Sequence, residues 1–448
     1  MAQQKNIRKV FTWSIILALG GFLFGFDTAV ISGVEKSIQV LFSLNSFWQG
    51  FTISSALIGT VTGALLAGRP ADKFGRKTIL FLVAFLFALS AMGSALARSL
   101  PWFIVFRFLG GVGVGASSVV APMYISEISP AKVRGRMTAL FQFNVIFGIL
   151  IAYVTNYLLR DTGNEPWRWM LGVMAIPAFV YFALLFIVPP SPRFLVKIGK
   201  KEEARRILLL IESGNVDAEM KDIESSLQTT GNREKLLSPI YRKPISIAFL
   251  VAMFNQFSGI NAILYYAPRM FELAGVSAAD SMFQPIFIGL TNGLFTVLGM
   301  VLIDRVGRKK LLITGSIGMS IVLGLVSRTF YLHSFGGYTL LMYLVVYIMF
   351  FAFSTGAVIW VLIAEVFPNS VRGQGQSLGS FTHWFFAALI TFLFPVIAER
   401  TKFGGGHAFA FFAVMMAIQA LVVWKLFPET KGKTLEQLGD ELSKENNP

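Results

Sequence analysis

The sequence predicts an all-α membrane protein, with twelve transmembrane helices in two six-helix halves joined by a polar helical insert. Three observations predict it. The 448 residues are 55% hydrophobic and only 14% charged, with a mean hydropathy of +0.65, whereas soluble domains carry charge on about a quarter of their residues. Apolar runs of the ~20 residues needed to cross a bilayer recur along the whole chain. Two polar motifs are repeated in the same order in the first and second halves.

The first six runs cover residues 10–32, 49–69, 78–97, 101–123, 137–159 and 168–189. The last six cover 245–271, 283–303, 311–332, 338–363, 376–399 and 407–427. Between them, "KIGKKEEARRILLLIESGNVDAEMKDIESS" carries both signs of charge and reads as short amphipathic helices outside the membrane. The expected organisation is an N-terminal half over 1–189, a cytosolic linker over 190–243, a C-terminal half over 244–428 and a cytosolic tail over 429–448. The abundant glycines (41) suit close helix packing in a bilayer. The first run reads as a span rather than a cleavable leader, because "TAVISG" continues it without a plausible cleavage site.

A net charge of +15 would suit a nucleic-acid partner, but the basic residues lie in short loops between apolar runs, as a topology signal does. Of 39 lysines and arginines, 30 fall on one side: Lys5, Arg8 and Lys9, the group Arg69 to Lys77, Lys132, Arg134 and Arg136, the insert, Arg305 to Lys310, Arg372 and the C-terminal end. Only 8 fall opposite: Lys36, Arg98, Arg160, Arg168, Arg269, Arg328, Arg400 and Lys402. Both termini and the insert are therefore expected in the cytoplasm, and the protein in the (inner) cell membrane as a multi-pass chain without nucleic acid. With no cysteine, three histidines and no nucleophile–base constellation, neither a disulfide framework nor an enzyme is indicated, and no metal or cofactor.

The repeat shows in two pairs of motifs. "DKFGRKTIL" (72–80) returns as "DRVGRKKLL" (304–312), and "EISPAKVRG" (127–135) returns as "EVFPNSVRG" (365–373). An even number of spans separates the copies, so the halves are parallel repeats related by an axis along the membrane normal, which is a transporter plan.

Two charges lie inside apolar runs. Asp27 sits in "GGFLFGFDTAVISG" and Arg107 opens "RFLGGVGVG". Each alone in hydrocarbon is costly, and an ion pair across the first and fourth spans relieves both.

The motifs "GRPADKFGRK" and "RFLGGVGVGASSVVAPMYISEISPAKVRGR", with "FGFDTAVISG", "NQFSGINAILYYAP", "DRVGRK", "EVFPNSVRG" and "FPETKGKTLEQL" in this order, carry a resemblance over nearly the whole chain. The chain resembles the sugar porter family of the major facilitator superfamily, and within it bacterial proton-coupled pentose and hexose symporters. The resemblance implies a monosaccharide (a pentose, hexose or related polyol) and a proton as partners besides the bilayer, with no obligate protein partner. It implies a proton switch at Asp27 and Arg107, the alternative being a static salt bridge. Some symporters carry a second acidic residue in the sixth span; the matching position here is Met174, so coupling would rest on Asp27 alone.

For the sugar, the resemblance points to Gln142, Gln256, Asn261 and Asn292, with Asn255 where a second glutamine is usual. Amides match hydroxyls in donors and acceptors, and the alternative for each is bonding between helices. The resemblance also implies Trp360 beneath the sugar, Phe24 as an aromatic contact, and His383 in place of an amide beside Trp384. For His383, a sugar contact, simple packing and a proton role all stay open. Tyr265 and Tyr266 look like gate residues. Ala357 replaces a frequent proline, so the tenth helix is expected to be less kinked. Asp72, Arg76, Glu127, Arg134 and Arg193 resemble one half of a cytosolic salt-bridge network, and Asp304, Arg308, Glu365 and Arg372 the other half. Pro190 stands where a glutamate is usual. The function implied is proton-coupled monosaccharide import by alternating access. The alternatives are a facilitative uniporter with a structural Asp27–Arg107 pair and, further off, a transporter-like sugar sensor.

Overall fold

The computed structural model describes residues 2–130, 133–211, 216–228, 236–368, 370–400 and 403–432. Lys132, Lys402, the side chain of Lys5 and the tail beyond 432 lie outside the described residues.

Among the described residues, twelve helical segments are long and apolar enough to cross a membrane. In chain order, spans 1 to 6 are Arg8–Gly33, Ser46–Leu66, Arg76–Leu96, Leu100–Glu127, Arg134–Leu159 and Pro166–Ile187. Spans 7 to 12 are Pro239–Leu273, Ala278–Val306, Arg308–Leu332, Thr339–Glu365, Arg372–Arg400 and Gly404–Leu426. Spans 5, 9 and 11 begin several residues before the apolar runs do, in "RGR", "RKK" and "RGQG". Hydropathy marks the hydrocarbon, whereas a helix continues through a polar first turn that stays in water.

Burial follows the repeat at the first and last spans of each half and departs from it at the second. Spans 1 and 7 are the most enclosed of their sets, at 72% and 78% of their apolar windows, and spans 6 and 12 are both at 33%, whereas span 2 is at 61% and span 8 at 33%. Spans 6 and 12 are the apolar periphery, with Ile176, Phe179, Leu421 and Trp424 outward. Polar chemistry is accordingly to be sought on spans 1 and 7 and on what packs against them.

The insert forms helices Pro192–Lys197, Lys201–Ile211 and Val216–Gln228. Ala204, Ile207, Leu208 and Ile211 are buried at the 3–4 residue spacing of one helix face. Lys201–Glu224 (2.8 Å) and Arg205–Asp217 (3.0 Å) join the last two helices; exposed pairs of this kind contribute about 0–1 kcal/mol each.

The chain groups into two compact units. The first holds residues 1–30, 58–152 and 162–233, and the second holds 31–57, 153–161 and 234–448. The second unit thus takes in the linked ends of spans 1 and 2 and the end of span 5, all on the membrane side opposite the basic loops.

Candidate functional site

In the first unit, spans 1 and 4 bring Asp27 and Arg107 together. Arg107 Nη1 donates to Asp27 Oδ1 at 2.5 Å, and Nη2 lies 3.4 Å from the Asp27 carbonyl. The two residues are 2% and 1% exposed, so the pair is cut off from water. Gly110, one turn after Arg107, leaves room for this contact: a Cβ there would stand 2.3 Å from Ser90 Oγ and 3.7 Å from Asp27 Oδ1. Ser90 Oγ and Arg107 Nε find no partner among the described residues. Phe24 and Gln142, on spans 1 and 5, are half-buried in the same unit.

In the second unit, span 7 is broken. The helix Arg242–Phe257 stops at Ser258–Gly259 and resumes as Ile260–Leu273. Gly259 adopts φ +83°, a left-handed conformation that favours glycine, and a Cβ there would come 2.5 Å from the Phe412 ring. Inside a bilayer, freed backbone groups need partners. Tyr347 Oη donates to the Ser258 carbonyl at 3.0 Å, and Ser258 Oγ donates to the Asn255 carbonyl at 2.6 Å. Asn261 Nδ2 donates across the break to Gln256 Oε1 at 2.8 Å, and Gln256 Nε2 donates to Asn255 Oδ1 at 2.9 Å. These three amides therefore form one buried chain.

Span 10 is broken too. Thr339–Phe353 and Thr355–Glu365 meet at Ser354, whose φ, ψ of −111°, −96° is not helical. The expectation of a smoother tenth helix with Ala357 in place of proline does not hold: the interruption lies three residues earlier. Asn255 Nδ2 points to the carbonyl of Thr355, the first residue after the interruption, at 3.4 Å, so the breaks in spans 7 and 10 are linked. His383 on span 11 completes the cluster, with Gln256 Nε2 3.2 Å from each ring nitrogen. Its ring lies 4.9 Å from that of Trp360 and 4.8 Å from that of Trp384. Trp360 is 37% exposed, while Trp384 is buried. Asn292 is apart from this chain; its Oδ1 lies 3.5 Å from Thr296 Oγ1 on span 8. Tyr265 and Tyr266 are both buried. Tyr266 sits at a second kink of span 7 (φ −120°) and donates to the Thr391 carbonyl at 3.1 Å.

The basic-loop side of each unit carries the same construction. In the first, Arg76 reaches Asp72 (2.9 Å), Glu127 (3.0 Å) and the Ala71 carbonyl (3.1 Å). In the second, Arg308 reaches Asp304 (3.2 Å), Glu365 (2.8 Å) and the Ile303 carbonyl (3.1 Å). Gly75 and Gly307 precede them with φ of +92° and +99°. Ser191 donates to Glu127, and Thr430 donates to Glu365 at 2.6 Å. Arg193 lines a pocket with Glu127 and Arg134. Arg134 and Arg372 each turn Nε to the carbonyl five residues back, Ser129 and Phe367, at 3.4 Å. Arg134 also stands 4.0 Å from Glu219 of the insert.

Sequence reasoning missed a further cluster in the second unit. Glu35, 1% exposed, bonds Arg269 at 3.1 Å and also Gln49, and Arg269 pairs with Glu399 as well. Each charge, taken singly, read as an ordinary residue near a span end. Glu35 is followed at once by Lys36, Ser37 and Gln39, so nothing in the sequence set it apart from an ordinary polar loop.

Residues 13–442 match the family described as Sugar (and other) transporter. The chain belongs to that family. It is 36% identical to the D-xylose-proton symporter of Escherichia coli K12, over 98% of this chain and 96% of that protein. It is 37% identical to the arabinose-proton symporter of Bacillus subtilis, over 95% and 93%. Its backbone matches the inward-open, partially occluded structure of the xylose transporter XylE from E. coli with a TM-score of 0.85 at 33% identity, covering 95% of this chain and 100% of that one. The XylE structure bound to 6-bromo-6-deoxy-D-glucose gives 0.81 at 36%, over 98% and 100%. The protein is thus a transporter and not an enzyme.

The two basic-loop clusters differ at one place. Glu429 accepts from the backbone N–H of Arg308 (2.9 Å) and Lys309 (3.2 Å), capping the start of span 9. The equivalent place before Ser191 is Pro190, so the start of span 3 lacks that carboxylate. A capping acid at a helix N-terminus contributes about 0.5–2 kcal/mol. Pro190→Glu is expected to raise the thermal unfolding temperature in detergent, and Glu429→Gln to lower it. Thermal unfolding of the two variants beside the parent chain checks both.

Proposed function

We propose that this chain is a proton-coupled monosaccharide symporter that imports a pentose or hexose by alternating access. The observation that carries the reading is the water-excluded Asp27–Arg107 pair across spans 1 and 4. The relatives' names supply the sugar and the proton as the partners such a pair would serve.

Asp27 is the proton site. Ionised, it holds Arg107; protonated, it loses most of the attraction, and Arg107 keeps only the Asp27 carbonyl and a nitrogen still lacking a partner. Breaking a buried pair costs about 3–5 kcal/mol when one charge is left behind. That cost couples the proton to the packing of spans 1 and 4, the elements that must shift when access alternates.

Within the second unit, the sugar site is the amide chain Asn255–Gln256–Asn261 with His383, Trp360 and Trp384, extended by Asn292. These amides bond one another. Exchanging amide–amide bonds for amide–hydroxyl bonds leaves no buried group unpaired, which keeps the cost of binding low. Tyr265 and Tyr266 close the site at the kink of span 7. The Arg76 and Arg308 clusters stabilise the basic-loop ends of each unit, and the charge asymmetry of the loops orients that side to the cytoplasm. The protein lies in the cell membrane.

Purified protein in liposomes tests the reading. An outside-acid gradient of one pH unit is worth about 1.4 kcal/mol per proton. Coupling of one proton per sugar therefore supports accumulation of up to about tenfold. A facilitator would equilibrate the sugar and stop, whatever the gradient, and that outcome would replace the symport reading.

Within the sugar site, Gln256→Ala is expected to weaken sugar binding by about 1–3 kcal/mol while the protein still folds and inserts. His383→Gln keeps the donor and acceptor and should retain uptake with an altered sugar preference. Isothermal titration with a panel of pentoses and hexoses reads both. Loss of proton coupling with binding intact in His383→Gln would move His383 to the proton pathway.

A further inference from the structure

On the side opposite the basic loops, the segment 31–57 of the second unit lies on spans 7 and 11 through charged and amide contacts. Arg269 Nη1 bonds Glu35 (3.1 Å) and Gln39 (2.9 Å), and its Nη2 pairs with Glu399. Lys36 pairs with Glu272, and Ser46 donates to Glu399. The backbones approach closely here: a Cβ on Gly50 would stand 2.2 Å from the Phe392 carbonyl, and the Phe47 and Phe392 rings are 5.2 Å apart. This is a docked seam that ties the first outer loop to the outer ends of spans 7 and 11.

The charges in the seam do not balance. Three carboxylates, Glu35, Glu272 and Glu399, face two cations, Lys36 and Arg269, so one negative charge is unmatched. The side chains of Glu272 and Glu399 keep 22% and 29% exposure, whereas that of Glu35 keeps 1%. An uncompensated charge is least tolerable where water is absent. Beside Glu35, Gln49 is also 1% exposed; its Nε2 donates to Glu35 Oε2, and its Oε1 has no partner among the described residues. With the amide turned over, a protonated Glu35 would donate to that oxygen, whereas an ionised one has no hydrogen to give.

We propose that Glu35 is a second proton-binding site, which takes a proton from the outer solution as segment 31–57 docks on spans 7 and 11. Burial raises the Glu35 carboxyl from the usual carboxylate range to about 7 in the docked seam, with Arg269 opposing and Glu272 and Glu399 adding to the rise. Tyr266 faces the same charges from span 7, and His333 lines a cavity of about 330 Å³ behind Arg269 and Glu399. The sign follows from linkage. The state with the higher pKa binds the proton more tightly, so acid favours the docked seam, and docking weakens as pH rises toward and past 7. The proton enters and leaves on the same side. Glu35 therefore makes outer closure sensitive to external acidity without adding to the sugar:proton ratio, which stays with Asp27.

The inference rests on the symporter reading for its orientation, and its test separates the two. The chain has no cysteine, so Val40→Cys and Leu273→Cys, both exposed on either side of the seam, give a unique spin-labelled pair. Distances are measured on the full-length protein in nanodiscs without sugar, in an Asp27→Asn background, where Asp27 cannot titrate. Between pH 8 and pH 5.5 the docked-to-undocked ratio is expected to rise on the order of tenfold. Glu35→Gln should abolish that dependence. No pH response in the Glu35 protein, or the same response in Glu35→Gln, overturns the proposal. A seam that responds while the parent protein fails to accumulate sugar would sink the symport reading and leave this one standing.

Discussion

An aspartate and an arginine closed off from water on adjacent helices constrain everything around them. Asp27 and Arg107 are 2% and 1% exposed and meet at 2.5 Å. Neither charge is tolerable alone at that depth, so the spans that carry them must stay in register while both are charged. Once the carboxylate takes a proton the requirement lapses. That difference is why we propose the pair as a switch: its two states would demand different packing of spans 1 and 4. Around it, Gly110 lets the helices pack closely, and Ser90 Oγ and Arg107 Nε have no other partner among the described residues.

The second unit solves a different problem with the same rule. Breaking spans 7 and 10 within the membrane frees carbonyls and N–H groups, which must be paired. Tyr347 and Ser258 pair carbonyls freed in span 7, Asn255 reaches the start of the resumed span 10, and the amide chain of Asn255, Gln256 and Asn261 is assembled around the break. The buried amide chain and the break in span 7 thus come from one piece of sequence, "NQFSGIN". The Arg76 and Arg308 clusters show how closely the halves repeat where no such demand applies. They share an i−5 carbonyl contact at 3.1 Å, the same acidic partners and a preceding glycine with positive φ.

Much of this was legible in the sequence, because hydrocarbon imposes a coarse code. Apolar length marked the spans, the two motif pairs marked the repeat, and the isolation of Asp27 and Arg107 implied their pairing. The break at Gly259 has a local mark in the sequence, a glycine inside the amide-rich "NQFSGIN", because glycine sits easily at φ +83°. The break at Ser354 has none, since neither glycine nor proline stands there and the interruption is held by a tertiary contact from Asn255. The Glu35 cluster was illegible for a similar reason. Glu35 and Arg269 are 234 positions apart, and Arg269 and Glu399 another 130. At span ends, charges are the norm, and only packing reveals which one has been buried.

The most direct test of the switch is Asp27→Asn in liposomes, comparing sugar counterflow with uphill uptake under an outside-acid gradient. Asparagine is nearly isosteric with the protonated acid and cannot titrate, so the carrier should exchange sugar across the membrane yet fail to concentrate it. Uphill uptake by Asp27→Asn at the level of the parent protein would contradict the account, because the proton would then be carried elsewhere.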